Sequence, residues 1–405
     1  MTPKPGRPGE WRPCGDYRTL NAVTTPDAYA MPRVDEIVSA LEGATIFTKC
    51  DLLKGYFQVP IRDDDIPKTA IATPFGTFLF RYSTFGLRNS GASFQRMMDN
   101  IFADVPFCRC YVDDIIIFSR TREDHECHVR RVMELLRENG LVCRPDKCKY
   151  GARTIDFLGH AVTPDGVRPS PSKVSAVANF PRPKTIKELQ RFLGMINFYR
   201  RHLPQAAGTL EPLTRILGRQ QARGSNAPIT WSEEQDGAFR AAKALLAART
   251  LLAYPIMDGP LLLRTDASDV AIGGVLEQKQ GGHPRPLAFF SRILKPAEKR
   301  YSVFDRELLA LHQSVRHFRH FLEGNAFVAL TDHRPLVSSI RKRSDSWTDR
   351  QRRQLSELAE YCMTLEYQAG VSNVVADCLS RVQLTAEVHQ VQIGVDFLRG
   401  GRISN

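Results

Sequence analysis

The pattern of apolar and polar positions in the first part of the chain predicts short strands mixed with amphipathic helices. Apolar and alternating runs predict strands at 45–51, 69–73 and 77–83, and a pair of strands within 107–119. Helical spacing of apolar residues predicts helices at 88–102 and 123–139. This mixture of elements is typical of an α+β fold.

Proline-rich and polar segments indicate boundaries between structural units of the chain. Residues 169–183 contain four prolines around a short apolar segment, which predicts a hinge between structural units. Residues 219–230 and 254–260 are typical of loops.

A helix is predicted between the hinge and the first of these loops. Thr185 and Glu188 have the spacing of a capping box, which marks a helix start. The apolar positions then continue at helical spacing as far as Leu203. Three arginines lie on this predicted helix: Arg191, Arg200 and Arg201.

The chain beyond residue 260 predicts a second unit, with strands around one long helix. The strands are predicted near 261–266, 271–277 and 326–331. Residues 302–322 predict the helix, because Phe304 and five later apolar residues recur at intervals of four, three, four, three and four. After Arg381 the periodicity is weak.

The composition favours a polyanionic partner. Among 405 residues, 56 are Lys or Arg and 44 are Asp or Glu, which gives a formal net charge of +12. No apolar run is long enough to span a membrane, and the first residues lack the apolar stretch of a signal peptide. Nine dispersed cysteines suit reduced thiols, so we expect an intracellular protein.

Carboxylates at the ends of apolar runs indicate a metal site in the first half. Asp113 and Asp114 interrupt the run CYVDDIIIFS, which predicts that a hairpin turn holds them. Taken alone, the pair fits an ordinary turn equally well. Asp51 ends the strand-like run IFTKCD, and hard divalent cations bind carboxylate oxygens from several strands. These three acids are therefore candidate ligands for two magnesium ions.

A second set of acids lies in the last part of the chain. Each one lies at the end of an apolar run or on the long predicted helix: Asp266, Glu307, Asp332 and Asp377. Any one of them alone is more often a helix cap or a surface charge. Two metal ions held by four carboxylates can activate water and stabilise the leaving oxygen of a cleaved phosphodiester.

The cysteine and histidine spacings do not predict a zinc site, because they do not form a CxxC set with matching histidines. The nearest approaches to such a site are Cys108 with Cys110, Cys127 with His125 and His128, and Cys143 with Cys148. We expect ordinary core or surface thiols at these positions.

Four motifs in order resemble the reverse transcriptase region of Pol polyproteins from gypsy-like LTR retrotransposons (Metaviridae). They are CDLLKGY at 50–56, FGLRNSGASFQ at 85–95, YVDD at 111–114 and FLGH at 157–160. The second set of acids resembles that of a ribonuclease H domain. The resemblance runs from about residue 11 to 381, nearly the whole chain.

The resemblance implies a right-hand polymerase of fingers, palm and thumb, then a connection and a ribonuclease H-like mixed-sheet domain. The implied domains are fingers and palm at 1–168, thumb and connection at 169–255, the ribonuclease H-like domain at 256–381 and a tail at 382–405. The stretch WRPCGDYRTLN at 11–21 resembles the fingers motif of this family. Because Met1 lies close to this fingers motif, we expect early fingers strands to be missing. The chain also lacks the motifs of the protease and the integrase, so we expect a piece of a polyprotein.

The resemblance also implies roles for individual residues. All seven acids match metal ligands, with two Mg²⁺ per active site and Mn²⁺ as an alternative ion. Tyr56 matches the aromatic gate that excludes a ribose 2′-hydroxyl, and Arg12 matches a fingers residue that meets the triphosphate. Phe85, Gly86 and Gln95 match the nucleotide and template side, and Leu158 and Gly159 match the primer grip. The stretch LGMINFYRRHLP at 193–204 resembles the thumb helix, whose basic side chains would track the duplex backbone; the alternative is a solvated basic helix face.

The implied function is RNA-directed DNA polymerisation with ribonuclease H activity. The implied partners are an RNA template, a DNA primer, dNTPs and the RNA–DNA hybrid, in the cytoplasm within a virus-like particle or in the nucleus. Whether two copies form a homodimer stays open. Two alternatives remain: a domesticated or decaying element that only binds nucleic acid, and a DNA-templated repair polymerase without nuclease function.

Overall fold

Two large sheets and a layer of helices contain most of the secondary structure. This is a computed structural model, and it describes residues 2–3, 9–12, 14–204, 206–220, 226–248, 250–341 and 347–369. The strands are β1 (Thr2–Pro3), β2 (Trp11–Arg12), β3 (Ile46–Asp51), β4 (Ile71–Thr73), β5 (Gly76–Phe78), β6 (Cys108–Tyr111), β7 (Asp114–Ser119), β8 (Lys149–Ala152), β9 (Ile155–Phe157), β10 (His160–Thr163), β11 (Gly166–Pro169), β12 (Leu261–Ala267), β13 (Ala271–Gln280), β14 (His283–Ile293), β15 (Phe327–Thr331) and β16 (Met363–Tyr367). The helices are α1 (Arg18–Val23), α2 (Val34–Ser39), α3 (Ser90–Ile101), α4 (Arg122–Glu138), α5 (Pro171–Ala178), α6 (Ile186–Phe198), α7 (Ala206–Gln220), α8 (Glu233–Ala247), α9 (Val303–His317), α10 (Arg319–Leu322), α11 (Arg334–Arg341) and α12 (Asp349–Ala359).

The first sheet is antiparallel and has the strand order β6-β7-β3-β8. Side chains alternate across β3, as the sequence pattern predicts. Cys50 packs with Phe94 of α3 on one face, whereas Phe47 packs with Ile37 and Ile116 on the other. Both faces are therefore buried, which explains the nearly continuous apolar run in β7.

The helical layer consists of α5, α6, α7 and α8 around one apolar core. The segment 169–183, predicted to be a hinge, contains α5, whose Val174 and Val177 are buried in that core. The first residue of a helix donates no hydrogen bond within the helix, so a proline, which lacks the N–H, is tolerated there. Pro171 therefore begins this helix. The hinge prediction is therefore wrong for 171–178.

Helix α6 begins as predicted but ends earlier. The Thr185 hydroxyl accepts a hydrogen bond from the Glu188 N–H at 3.3 Å, while the Glu188 carboxylate accepts from the Lys184 N–H. The helix stops at Phe198, and Arg200 and Arg201 lie in a following 3₁₀ turn. The prediction that both arginines share the helix with Arg191 is wrong.

The second sheet has the order β14-β13-β12-β15-β16. Strands β12, β13 and β14 are antiparallel neighbours, whereas β15 runs parallel to β12 and to β16. Helix α9 packs on β12 and β13, and its apolar stripe lies in the core. An added Cβ at Gly274 would lie 2.4 Å from the Ser314 hydroxyl, so this glycine lets α9 approach the sheet closely.

Some predicted boundaries differ from the structure. The strand expected at 77–83 is only β5, and part of the strand expected at 69–73 is a 3₁₀ turn that ends at Thr69. The helix expected at 302–322 is divided at Phe318 into α9 and α10. No helix in the described part of the chain has the length and apolar character to cross a membrane.

Candidate active sites

Asp51 and Asp114 form a pair at the end of the first sheet. They are partners in the β3–β7 register, so both side chains lie on the face opposite α3 and α4. Lys49 lies on the same face of β3, and its Nζ is 2.6 Å from the Asp114 carboxylate. The Nζ of Lys147 is 3.1 Å from the Asp51 carboxylate. Each acid is therefore neutralised by its own lysine.

Asp113 lies in the two-residue turn between β6 and β7. Val112 before it has φ of 55°, a left-handed conformation that a branched residue rarely adopts. The buried Gln95 amide stabilises this turn, because its Oε1 accepts from the Val112 N–H at 2.7 Å and its Nε2 donates to the Cys110 carbonyl at 3.2 Å. The Leu52 N–H also donates to the Asp113 carbonyl.

Gln95 therefore does not line the nucleotide and template side. It is 0% exposed and acts on the turn that presents Asp113. The sequence motif locates a residue that matters for the site, but the expected direct contact with substrate is wrong in this structure.

Burial raises the pKa of the Asp113 carboxyl, and the nearby Asp114 and Asp51 raise it further. Ionisation of this carboxyl group is unfavourable among like charges, and a bound cation would stabilise its ionised form. Gly55 leaves room for this carboxylate, because an added Cβ there would lie 3.1 Å from the Asp113 Cβ.

A cleft of about 960 Å³ opens in front of Asp51 and Asp113. Its wall includes Tyr56, whose ring makes edge contacts with Phe85 and Phe94 at centroid distances of 5.2 and 5.6 Å. Cationic side chains also line it: Lys54, Arg144 and Lys147. The cleft thus combines acids, aromatic rings and cations, as a site for a magnesium-bound triphosphate requires.

Two further predicted substrate residues lie near this cleft. Gly86 has φ of 102°, and an added Cβ would lie 2.6 Å from the Gly15 carbonyl oxygen. This close approach joins the Phe85 segment to the fingers motif. Arg12 lies in β2, next to Trp11, which lines the cleft. The roles of Gly86 and Arg12 remain predictions.

A second cleft, of about 590 Å³, lies between the β9–β10 turn and the helical layer. Leu158 and Gly159 form the two-residue turn between β9 and β10, with φ of 48° and 80°. The Tyr199 hydroxyl donates to the Gly159 carbonyl at 2.8 Å. Arg191 and Phe198 of α6 line the same cleft. The predicted primer grip and thumb helix therefore share one groove.

Arg200 and Arg201 do not face that groove. The Arg200 guanidinium donates to the Ser291 carbonyl at 2.9 Å, and that of Arg201 donates to the Leu287 carbonyl at 3.3 Å. Arg201 also forms an ion pair with Asp35, and burial lowers its pKa to about 10. Both side chains connect the helical layer to β14, so the prediction that they track a duplex backbone is wrong.

The second set of acids converges at the second sheet. The carboxylate oxygens of Asp266, Glu307 and Asp332 lie within 4.8 Å of one another. Asp266 comes from β12, Glu307 from α9, and Asp332 directly follows β15. Because β12 and β15 are parallel neighbours, their carboxyl ends bring the two aspartates to the same edge. Asp377 lies outside the described residues.

Glu307 is a buried acid in this site. Its Oε1 accepts from the Ala267 N–H at 3.3 Å, whereas its buried Oε2 has no hydrogen-bond partner among the described residues. Burial, together with Asp266 and Asp332, raises the pKa of Glu307 to about 9. A buried, unpartnered carboxylate oxygen between two acids fits a divalent cation as its partner.

The two sites differ in how closely their acids approach. Within the described ranges, Asp51, Asp113 and Asp114 form no group as tight as the Asp266 group. Asp51 and Asp113 line the first cleft, whereas Asp114 does not. For Asp114 to bind a cation as predicted, its ion pair with Lys49 must open.

Sequence reasoning missed the two lysines of the first site. Lys49 could have been found, because it lies two residues before Asp51 and therefore on the same face of a strand. Lys147 is 96 residues from Asp51 along the chain, and no local pattern predicts that contact.

Two family models match the chain. One, described as reverse transcriptase (RNA-dependent DNA polymerase), matches residues 2–162, and the other, described as an RNase H-like domain found in reverse transcriptase, matches residues 231–329. The chain therefore carries a reverse transcriptase domain followed by an RNase H-like domain.

Its relatives are polyproteins of mobile elements. The chain is 37% identical over 388 residues to the retrovirus-related Pol polyprotein from transposon opus of Drosophila melanogaster, a match that covers 94% of this chain and 38% of the relative. It is 32% identical over 383 residues to the transposon Tf2-3 polyprotein of Schizosaccharomyces pombe, covering 93% and 28%. These matches confirm the resemblance to Pol polyproteins seen in the motifs, and the chain spans well under half the length of these relatives.

Solved structures confirm the fold class. A foamy viral protease-reverse transcriptase in complex with dsDNA is similar with a TM-score of 0.80, at 23% identity, over 90% of this chain and 76% of that one. The same viral protein in complex with an RNA/DNA hybrid gives a TM-score of 0.76, at 22% identity, over 93% and 50%.

Proposed function

We propose that this chain copies RNA into DNA and degrades the RNA strand of the resulting hybrid. The observation that carries the proposal is the presence of two separate carboxylate sites at the ends of two different sheets. Asp51 and Asp113 line the first, and Asp266, Glu307 and Asp332 form the second. The matching domains and the retrotransposon relatives support the pairing of these two activities.

In the first site, Asp51 and Asp113 hold divalent cations, and Asp114 joins them once Lys49 releases it. Bound Mg²⁺, or Mn²⁺ in its place, supplies charge stabilisation for the attacking 3′-oxygen and the leaving pyrophosphate. The cleft wall carries three cationic side chains that can form charge-assisted hydrogen bonds with an anionic triphosphate: Lys54, Arg144 and Lys147. Tyr56 limits the space beside the sugar.

In the second site, the three described acids and Asp377 hold the cations that activate water against a phosphodiester. The Oε2 of Glu307 supports this role, since no group in the described part of the chain forms a hydrogen bond with it. Selection for RNA comes from contacts with its 2′-hydroxyls, because the phosphodiester chemistry is the same in DNA.

The substrates follow from the two sites. An RNA template, a DNA primer and dNTPs serve the first, and the RNA–DNA hybrid serves the second. The net charge of +12 and the groove with Arg191 support a nucleic-acid partner, as do the nucleic-acid complexes of the foamy viral neighbours. The activity belongs in the cytoplasm or the nucleus, where such templates occur.

One experiment separates this function from its alternatives. The purified chain is given a labelled heteropolymer RNA template or, in a parallel reaction, the matching DNA template, with a DNA primer, dNTPs and Mg²⁺, and both primer extension and RNA cleavage are measured. Extension with cleavage supports the proposal. Hybrid binding without either reaction identifies a nucleic-acid-binding remnant, and extension on DNA templates alone without RNA cleavage identifies a repair polymerase.

A further inference from the structure

Three cysteines from separate segments meet behind the first carboxylate site. Cys50 lies in β3, and Cys143 and Cys148 lie on either side of the 3₁₀ turn Pro145–Lys147. Their Sγ atoms lie within 4.8 Å of one another. The spacing of Cys143 and Cys148 predicts no metal site by itself, and the contribution of Cys50 becomes visible only when the chain is folded.

The backbone holds this cluster in register. Leu52 pairs with Cys143 in an isolated antiparallel bridge, and the Arg144 N–H donates to the Asp51 carbonyl at 2.8 Å. The segment that carries two of the thiols is therefore fixed against the strand that carries the third. Little rearrangement is needed to bring all three onto one centre.

The geometry and the donor atoms suit a thiophilic ion. Tetrahedral zinc thiolates have Zn–S distances of about 2.3 Å, which puts sulfur atoms about 3.8 Å apart. Three sulfur donors favour Zn²⁺ over the hard Mg²⁺ of the carboxylate sites. Cys50 is 0% exposed, but Cys143 lines the first cleft, so an ion has a path to the cluster.

Surrounding groups leave a fourth position available. The Tyr150 hydroxyl lies beside Cys148, and its ring side chain is half exposed, so this phenol or a water molecule can complete a tetrahedron. The Cys148 thiol donates to the Arg144 carbonyl at 3.2 Å, a weak hydrogen bond that metal binding replaces.

We propose that Cys50, Cys143 and Cys148 form a structural zinc site that fixes the Pro145–Lys147 turn against β3. The consequence reaches the first carboxylate site directly, because this turn carries Lys147, the ion-pair partner of Asp51. A bound ion holds Lys147 at its place on the cleft wall. The proposal concerns metal binding and does not depend on the chain being an active polymerase.

The test is titration of the fully reduced, metal-free chain with Co²⁺, followed by displacement with Zn²⁺. Cobalt bound to thiolates gives an intense sulfur-to-metal charge-transfer band that Co²⁺ bound to carboxylates lacks. We expect the band to saturate at roughly one equivalent per chain and to disappear when Zn²⁺ is added. Saturating Mg²⁺ is present throughout to occupy the carboxylate sites.

Variants assign the band to these residues. Cys143→Ser should weaken Co²⁺ binding at least ~100-fold, since even loss of an outer-shell partner costs roughly 10- to 100-fold. Cys143→His should restore binding, because imidazole is also a zinc ligand. The matched controls are Cys127→Ser and Cys362→Ser, which change exposed thiols elsewhere and should leave binding unchanged.

A structural readout completes the experiment. Hydrogen exchange of residues 141–149 should slow when Zn²⁺ is added to the parent chain and should not respond in Cys143→Ser. The proposal is overturned if the reduced parent gives no charge-transfer band, if folded Cys143→Ser binds Co²⁺ as tightly as the parent, or if two of the three thiols are joined as a disulfide under reducing conditions.

Discussion

Asp51 and Asp114 lie directly opposite each other on two antiparallel strands, and each is paired with a different lysine. Like charges at such positions repel each other across a sheet. Lys49 and Lys147 remove this repulsion when no cation is bound. The lysines therefore stabilise the metal-free form of the first site, and a cation that binds Asp114 must displace Lys49 from it.

Asp113→Asn should abolish primer extension while leaving the fold intact. The change keeps the side-chain volume but removes a charge from the cleft where cations are proposed to bind. Charge stabilisation by metal ions is worth several kcal/mol, so we expect the extension rate on RNA to fall at least ~10³-fold. Asp104→Asn, the same change at an exposed position outside both clefts, is the control. A near-parental rate in folded Asp113→Asn would refute the assignment.

Several elements of the fold depend on local apolar patterns in the sequence. Strand β3, the 108–119 hairpin and α9 follow from apolar runs or apolar spacing in the sequence, because each of these elements buries most of its apolar side chains. The positions of the acids at strand ends follow from the same pattern. These parts of both candidate sites could be predicted from the sequence.

Long-range contacts could not be predicted in this way. Arg200 and Arg201 have the same local composition as a solvated basic helix face, yet their partners are backbone carbonyls about 90 residues away. Gln95 belongs to a recognisable motif, but only the fold shows that it holds a turn. The meeting of Cys50 with Cys143 likewise depends on strand pairing and not on spacing.

Tyr56→Ala should relax discrimination against ribonucleotides. The Tyr56 ring is fixed by edge contacts with Phe85 and Phe94 and lines the first cleft, so its removal opens space where a 2′-hydroxyl can fit. We expect the preference for dNTPs over NTPs in primer extension to fall at least ~10-fold, on the scale of about 1.4 kcal/mol of steric exclusion. Tyr56→Phe keeps the ring and should keep the preference. Equal discrimination in Tyr56→Ala and the parent would show that Tyr56 is not the gate.

Arg191→Ala should reduce the salt dependence of hybrid binding. Arg191 lines the groove with the Leu158–Gly159 turn, and removing one cation that binds a phosphate lowers the slope of log K against log salt by about one. Arg201→Ala should leave that slope unchanged. It should lower the free energy of unfolding by about 1–3 kcal/mol, because it removes the hydrogen bond of a charged group to the Leu287 carbonyl and the ion pair with Asp35. The opposite assignment of the two effects would contradict the observed geometry.

His202→Asn should make stability less sensitive to acid. His202 is 1% exposed, and burial, followed by His160 and Arg201, lowers its pKa well below the ordinary 6.5. Because the pKa is depressed in the folded state, the stabilising contribution is complete above pH 6.5 and is lost as the pH falls below that value. Each such proton contributes a slope of about 1.4 kcal/mol per pH unit.

Chemical denaturation between pH 7.5 and about 5 measures this effect. Asparagine can still donate to the Thr250 carbonyl that His202 contacts, but it does not titrate in this range. We expect the free energy of unfolding to fall less steeply with acid in His202→Asn than in the parent. His283→Asn, at an exposed position of β14, should follow the parent curve. Parallel curves for all three proteins would show that His202 does not govern this dependence.

Glu307→Gln should stop RNA cleavage without stopping primer extension. The glutamine retains an oxygen that can accept from the Ala267 N–H, and it matches the protonated carboxyl that a pKa of about 9 implies for the metal-free site. The fold should therefore tolerate the change, whereas the proposed cation is deprived of one charged ligand. We expect cleavage of the RNA strand to fall at least ~10²-fold, the scale on which removal of one charge-stabilising group slows a reaction.

Asp113→Asn and Glu307→Gln should give opposite results on one labelled hybrid. The first should lose primer extension and keep RNA cleavage, and the second should lose RNA cleavage and keep primer extension. Glu360→Gln, an exposed change near the end of α12, should affect neither reaction. Loss of both reactions in Glu307→Gln would mean that the second site supports the first, contrary to their positions on different sheets. Loss of neither would remove the nuclease assignment. That assignment depends on Glu307, whose buried carboxylate oxygen lies near Asp266 and Asp332 and has no partner among the described residues.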